Sequence, residues 1–427
     1  SNSTEWTLRG LWNEVPGGRW HEYNGRKQLE FHRRKKTEDG RLTHLWTGWM
    51  DASWDLPGSL NASDANLAPA SSPGAEFDAH VDRMRTWIGY SSEKRQNEKQ
   101  SGLWIYAQHT EKQNPFGTSP YFNGLKDESE QFASARWWEA KTALLSNGSK
   151  FTWDKTAILR AEDLSLRESD LNPVDDAYRY QFQSITINAW GSSGIRLENN
   201  KWQLDAQMAF EWMRRNTDGD GTVDDGSKLA IAENYKHLAA LPFIGFSFEF
   251  TEQSRLFLQY GKATSHPTTF ELVDPDLYTT LNLLPERANA IELGWKGNTD
   301  FKQASVTYSL QAYQQEVGNA IASVQRESDG FYIDNIQGLQ MVGLEGYCNA
   351  MVTLKNSHWV VLQGQGSMNR HSFNSVTEAL PGTPLHASSF QAAYHTERWA
   401  AGTMHYWNDR MPLHNSKDDW SQAHQRL

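Results

Sequence analysis

The chain has 427 residues with 41 basic and 52 acidic side chains, so its formal net charge is −11. No dense basic tract lies outside residues 32–36, no apolar run approaches the ~18 residues of a transmembrane helix, and the single cysteine, Cys348, excludes an intrachain disulfide framework. We therefore expect neither a nucleic-acid partner nor a helical membrane anchor. The sequence also holds 19 Trp although hydrophobic residues make up only 38% of it, so the aromatic residues must lie outside one ordinary core.

Alternation of apolar and polar residues is the dominant pattern. Strand-like sequence begins at residues 5–9, and the alternation is clearest at residues 245–250, 256–260, 303–312 and 341–354. Because successive side chains of a strand point to opposite faces, these runs predict strands of roughly 8–12 residues with one apolar and one polar face.

Short turn signals alternate with long polar connections. The turn signals lie at 146–148, 198–200, 251–254, 296–298, 355–358 and 395–397, and the long connections at 57–78, 110–131, 165–178, 214–227, 265–286, 315–334 and 369–386. This rhythm is typical of outer-membrane barrels, which have short periplasmic turns and long extracellular loops. We predict an all-β fold in which residues 1–427 form one large antiparallel up-and-down transmembrane β-barrel domain. Trp residues in the strands, such as Trp137, Trp138 and Trp212, are expected in girdles at the two membrane interfaces.

Four stretches of the second half carry a more specific signal. They are Leu256–Pro267, Leu284–Arg287 followed by Ile291–Gly294, Asn335–Gly346, and Leu380–His386. In this order they resemble the barrel of TonB-dependent outer-membrane receptors, the ferric-siderophore type in particular. The similar part covers residues 243–410.

The resemblance implies uptake of a metal chelate, most often a ferric siderophore, driven by the TonB complex. It implies no enzymatic reaction and no required cofactor. It also implies a plug domain and a TonB box ahead of a barrel of about 22 strands. Because strand-like sequence begins by residues 5–9 and the chain is short for such a barrel, we expect the plug, the TonB box and the final strands to be absent from residues 1–427. We expect residues 1–427 to form an incomplete barrel that does not transport by itself.

An acidic segment is the candidate metal site. Asn216, Asp218, Asp220, Thr222 and Asp224 place oxygen atoms at alternate positions among glycines, as a calcium loop requires. The alternative is a polar hairpin tip rich in turn-forming residues.

Aromatic residues on the predicted outer loops are the candidate ligand contacts. Phe116, Tyr121 and Phe122 suit planar or catecholate ligands, and the alternative is that they pack the loop against the barrel rim. His266 and Tyr278 lie near the base of another predicted loop and are also candidate ligand contacts. No catalytic motif is present, so no catalytic residues are predicted.

Two other functions stay open. A passive outer-membrane porin of about 16–18 strands would suit the length, and a soluble Trp-rich carbohydrate-binding β protein would use its Trp side chains for stacking. Extraction without detergent would contradict both membrane interpretations.

Overall fold

The structure is a computed structural model that describes residues 3–58, 67–68, 70–119, 122–170, 178–222, 226–272, 281–325, 331–336, 338–355, 357–373, 382–412, 421 and 423–426. Its strands are β1 (Ser3–Val15), β2 (Asn24–Lys36), β3 (Arg41–Asp55), β4 (His80–Gln96), β5 (Lys99–Ser119), β6 (Phe122–Leu144), β7 (Lys150–Asp170), β8 (Tyr178–Glu198), β9 (Trp202–Thr222), β10 (Lys228–Thr251), β11 (Ser254–Ser265), β12 (Glu286–Asp300), β13 (Ala304–Gly318), β14 (Ala320–Gln325), β15 (Phe331–Ile336), β16 (Leu339–Thr353), β17 (Trp359–Phe373), β18 (His386–His395), β19 (Ala400–Asn408) and β20 (His424–Arg426). A 3-10 turn lies at Pro73–Phe77 and a one-turn helix, α1, at Thr269–Leu272. Neither these two nor any other helix in the described part of the chain has the length and apolar character of a membrane-spanning helix.

Each strand of the main sheet pairs antiparallel with the strands that come before and after it within that sheet. In the described residues, eighteen strands form one continuous sheet in which β13 pairs with β16, and β14 and β15 form a separate hairpin between them. The pairings run from β1 to β20, and none of those among the described residues joins these two strands. The predicted fold class, a large antiparallel up-and-down sheet, is confirmed.

The two ends of the sheet differ as the sequence predicts. At one end the strands are joined by two to five residues, at 37–40, 97–98, 145–149, 199–201, 252–253, 301–303, 354–358 and 396–399. Segments such as 56–79 and 266–285 connect strands at the other end. Two predicted loops are wrong, because residues 110–131 and 214–227 are mostly strand in β5, β6, β9 and β10. Beyond the lipid both faces of a strand meet water, so a polar sequence there does not indicate a loop.

The alternation separates a lipid-facing surface from a lumenal one. On β9, Met208, Phe210 and Trp212 are exposed on the outer face, whereas Ala209 and Met213 are buried on the inner face. Such alternation is expected of a barrel strand that meets lipid on one side and a wet lumen on the other.

The lipid-facing band can be measured along β5. Its outer-face residues Leu103, Ile105 and Ala107 lie between the polar Ser101 and His109. Eight residues span roughly 27 Å along a strand, or about 21 Å for a strand tilted by ~40°, which is close to the ~25 Å apolar band of such barrels. Beyond His109, β5 continues for ten residues above the band.

The Trp residues divide between the two surfaces, so the girdle prediction covers only part of them. On β6, Trp137 is 41% exposed on the outer face, whereas its neighbour Trp138 points into the lumen. Trp138 lies directly opposite Gly102 on β5, where any side chain would collide with the indole ring. The glycine therefore makes room for a large ring on a crowded inner face.

Candidate ligand-binding site in the lumen

A row of aromatic rings follows the lumenal face of β2, β3, β5 and β6. Each ring contacts the next with centroids 4.8 to 6.4 Å apart, in the order His32, His44, Trp46, Trp104, Tyr106 and Phe132. We call this set the aromatic row. The Trp104 and Tyr106 planes differ by only 13°, so they offer a surface on which a planar group can stack.

A buried arginine joins the elaborated end of the sheet to the segment that follows β11. Arg215 on β9 is 5% exposed and donates a 2.6 Å hydrogen bond from its guanidinium to the carbonyl oxygen of Pro267. Its Nε donates to the hydroxyl of Thr186 on β8 at 3.3 Å. A charged donor gives a strong hydrogen bond in such a place, so Arg215 holds residues 266–272 against the lumenal wall.

His266 lies at the centre of a polar network on that wall. Its Nδ1 is 3.1 Å from the Tyr235 hydroxyl, and its ring centroid is 5.0 Å from that of His237. Its Nε2 lies 3.3 Å from a carboxylate oxygen of Glu211, close enough for an ion pair but not aligned as a hydrogen bond. Glu211 accepts a 2.8 Å hydrogen bond from Asn188. Imidazole, phenol and carboxylate groups thus meet at one place in the lumen.

Helix α1 covers an apolar cluster beside this network. The cluster contains Leu164, Leu166, Tyr180, Phe182 and Ile231. Phe270 meets the Phe182 ring edge-on at 6.3 Å, and the Thr269 hydroxyl is 3.4 Å from that of Ser184. The cluster fastens the segment to the wall by burial as well as by hydrogen bonds.

The predicted ligand contacts are distributed over the elaborated end. His266 belongs to the polar network, Phe116 lies in β5, and Phe122 begins β6 opposite Ser119. Tyr121 and Tyr278 lie outside the described residues. In the part of the chain that the structure describes, no recorded contact joins Phe116 to His266, and the role of these residues stays a prediction.

The Phe116 ring packs against the neighbouring strand β6. The ammonium of Lys126 on β6 is 5.5 Å from the ring centroid, and a side chain at Gly124 would collide with the ring. Both contacts are with the neighbouring strand, so Phe116 packs on the extended wall.

The acidic segment adopts a different conformation from the predicted loop. Asn216, Asp218, Asp220 and Thr222 lie on one face of β9, and Asp224 is outside the described residues. Alternate residues of a strand are roughly 6.8 Å apart, so the four side chains form a line along β9 and not the loop that the sequence predicts. Among the described residues no group of three or more His, Cys, Asp or Glu side chains is placed to hold a metal. Calcium binding here stays a prediction.

Sequence reasoning missed Arg215, Tyr235, His237 and Glu211. The apolar residues of β9 indicate which face of the strand meets lipid. Their alternation places Arg214 on that exposed face and Arg215 on the opposite face. It does not indicate that residues 266–272 fold inward, because that contact joins segments 52 residues apart.

Two carboxylates outside the spanning segments have shifted pKa values. In the short turn after β2, a 2.8 Å hydrogen bond from the Lys94 ammonium, together with the Thr37 hydroxyl, holds the pKa of Asp39 well below its ordinary value. At the elaborated end, the His386 ring, 3.1 Å away, lowers the pKa of Asp409. In each case a side chain from a neighbouring strand forms a hydrogen bond with the carboxylate and stabilises its charged form.

A family model matches almost the whole chain. Its description is TonB dependent receptor-like, beta-barrel, and it matches residues 9–423. A search of curated proteins finds no match.

Solved structures share the fold at low sequence identity. The chain matches the ferric citrate transporter FecA (TM-score 0.77, 11% identity) over 98% of this chain and 64% of that one. It matches the ferric-catecholate import receptor Fiu from E. coli K12 (TM-score 0.72, 11% identity) over 99% of this chain and 70% of that one. It matches the siderophore receptor PiuA from Acinetobacter baumannii (TM-score 0.73, 12% identity) over 100% of this chain and 70% of that one. The chain thus spans about two thirds of the length of these proteins, and at this identity the likeness shows the fold alone.

Proposed function

This chain belongs to the TonB-dependent receptor-like β-barrel family, and on that premise we propose that it serves in uptake of a ferric siderophore. Barrels of this family lie in the bacterial outer membrane and are transport proteins, not enzymes. The family match over residues 9–423 carries the proposal. The TonB complex, outer-membrane lipid and a small metal chelate are the proposed partners.

The lumenal site supports a binding role. The aromatic row offers flat apolar surface for aromatic parts of a chelate, and the polar network at His266 offers hydrogen-bonding groups. Uptake requires that the ligand is bound and released, and no bond is made or broken. Neither a porin nor a soluble carbohydrate-binding protein is favoured by a specific observation.

Titration of purified protein with ferric chelates tests the proposal. Ferric catecholate, hydroxamate and carboxylate chelates are added separately, and quenching of Trp fluorescence is recorded. We expect saturable quenching by one class with a dissociation constant below about 1 μM. The absence of saturable quenching by all three classes would contradict the proposal.

Tyr235→Phe separates lumenal binding from a general effect on the barrel. It removes a hydroxyl of the polar network around His266, and the loss of one hydrogen bond of about 1–1.5 kcal/mol to a bound chelate corresponds to roughly tenfold weaker binding. The matched control is Tyr260→Phe, which removes a hydroxyl from the lipid-facing surface of β11. Equal effects of the two variants would place the ligand elsewhere.

A calcium ion at the acidic segment is a separate proposal. Isothermal titration with Ca²⁺ of the protein and of an Asp218→Asn/Asp220→Asn variant tests it. Heat of binding in the parent alone is expected, and equal heats in both proteins would remove the site.

A further inference from the structure

Charge is distributed unevenly over the outer face of the sheet at its plain end, the end with the short turns. Within the six residues of each strand nearest its short turn, the described outer-face positions of β8 to β13 and β16 to β19 hold no Lys, Arg, Asp or Glu. Their occupants are residues such as Leu204, Phe246 and Leu256. The same positions of β2 to β7 hold one acid, Glu139, and seven bases, which we call the basic sector. These bases are Arg33, Lys35, Arg41, Lys94, Lys99, Lys141 and Lys155.

The centre of the basic sector is a row across five strands. The residues that lie directly opposite one another on β3 to β7 are Arg41, Lys94, Ser101, Glu139 and Lys155. This row spans four strand spacings, or roughly 19 Å. Lys99 and Lys141 lie on the same face, one step nearer the turns. Five bases are thus concentrated in two adjacent rows.

The row lies at the edge of the lipid-facing band. Ser101 is the polar residue that ends the band on β5, and Leu103 is the first apolar residue above it. Trp137 and Ala157 lie directly opposite Leu103 on β6 and β7, roughly 6.8 Å above the row. Because the short turns of outer-membrane barrels face the periplasm, the bases lie at the headgroup level of the inner leaflet.

Acidic side chains neutralise only part of the basic sector. The ammonium of Lys94 is 2.8 Å from a carboxylate oxygen of Asp39 in the short turn after β2. Glu139 is shared between two bases, with Lys99 at 2.9 Å and Lys141 at 3.5 Å. Two carboxylates therefore serve three bases.

The remaining bases of the sector have no carboxylate partner in the described part of the chain. Arg41 donates a 3.1 Å hydrogen bond to the Ser92 hydroxyl, and the Lys155 ammonium lies 3.9 Å from the centroid of the Trp153 ring. The Nε of Arg33 is buried and has no hydrogen-bond partner among the described residues. Positive charge that is left uncompensated at a membrane surface attracts anionic headgroups.

We propose that the basic sector binds an anionic phospholipid of the inner leaflet. Its phosphate lies between Arg41, Lys94 and Lys99, and its acyl chains lie along the apolar positions above Ser101. A zwitterionic phospholipid carries an ammonium group close to its phosphate, and the bases repel that group, so a headgroup with net negative charge is favoured. The site is on the opposite face of the sheet from the lumen and at the opposite end from the network around His266. It is therefore independent of the ligand that the lumen binds.

Native mass spectrometry of the purified protein tests the proposal with phosphatidylglycerol and phosphatidylethanolamine that share the same acyl chains. We expect phosphatidylglycerol to bind about tenfold more tightly, because each nearby base adds to the attraction of an anionic headgroup. Inorganic phosphate at millimolar concentration should not displace the bound lipid, since the acyl chains contribute to its affinity. Equal binding of the two lipids, a preference for phosphatidylethanolamine, or displacement by inorganic phosphate would overturn the proposal.

A double variant and a matched control locate the bound lipid. Arg41→Gln/Lys99→Gln removes two bases of the basic sector and should reduce the preference for phosphatidylglycerol at least about fivefold. Arg255→Gln/Lys296→Gln removes the same two residue types from directly opposite positions on the lumenal face of β11 and β12, also at the plain end, and should leave the preference unchanged. An unchanged preference in the first variant, or an equal loss in both, would overturn the proposal.

Glu139→Gln tests the same site with the opposite sign. It removes the only outer-face acid of these described strand ends, so Lys99 and Lys141 lose their partner and can face the lipid headgroup. Phosphatidylglycerol should then bind more tightly by about threefold or more. This variant decides the matter if the double variant does not fold, and unchanged or weaker binding of phosphatidylglycerol would count against the site.

Discussion

Replacement of Arg215 by Gln should release residues 266–272 from the lumenal wall while the barrel stays intact. The guanidinium is 5% exposed and makes one short bond to the Pro267 carbonyl and one longer bond to Thr186. A hydrogen bond from a charged donor contributes about 1.5–3 kcal/mol, and the longer bond adds little, so the segment should lose about 2–3 kcal/mol of local stability. At 1.4 kcal/mol per factor of ten, exchange of its protected amides should speed up roughly 30- to 150-fold.

Native-state hydrogen exchange by mass spectrometry measures this loss. The reporting amides are those of Glu271 and Leu272 in α1, which donate to the carbonyl of Thr268, the residue before the helix. Arg214→Gln is the matched control, since Arg214 precedes Arg215 on the same strand but is exposed on the outer face. Unchanged exchange in Arg215→Gln, or equal acceleration in both variants, would refute the role of Arg215 as the tether. Strand amides of β9 should stay protected in both proteins.

Three further predictions concern the ends and faces of the strands. Lys94→Met should raise the pKa of Asp39, which carboxyl NMR titration measures. Because the folded-state pKa of Asp39 is lowered, the turn gains stability above the ordinary pKa and loses it as pH falls through the folded-state pKa. Trp137→Phe should reduce the Trp fluorescence that brominated acyl chains quench, whereas Trp138→Phe should not. Cys348, exposed on the lipid-facing side of β16, should react with an apolar maleimide in membranes but not with a charged thiol reagent.

A specific result would contradict each of these three predictions. An Asp39 pKa that is the same with and without Lys94 would show that the ion pair does not form in solution. Equal loss of lipid quenching in the two Trp variants would mean that the face assignment of β6 is wrong. Rapid labelling of Cys348 by the charged reagent would place that residue in water.

The sequence predicted the sheet because the membrane imposes a local rule. A strand between lipid and a wet lumen must alternate, and residues 245–250 and 303–312 obey this rule with short-range information alone. The turns at the plain end follow from local turn chemistry in the same way. Where strands rise above the lipid the rule no longer applies, so the polar sequence of residues 110–131 and 214–227 predicts loops although most of these residues lie in strands.

The sequence by itself thus determined the fold class, the asymmetric ends and the family resemblance, since each depends on residues close together in the chain. The tertiary structure decided which Trp faces the lumen, because Trp137 and Trp138 differ only in parity. It also decided that Arg215 meets Pro267 and that Arg41 and Lys94 on separate strands lie directly opposite each other. These contacts depend on the register between strands, and register is a property of the assembled sheet.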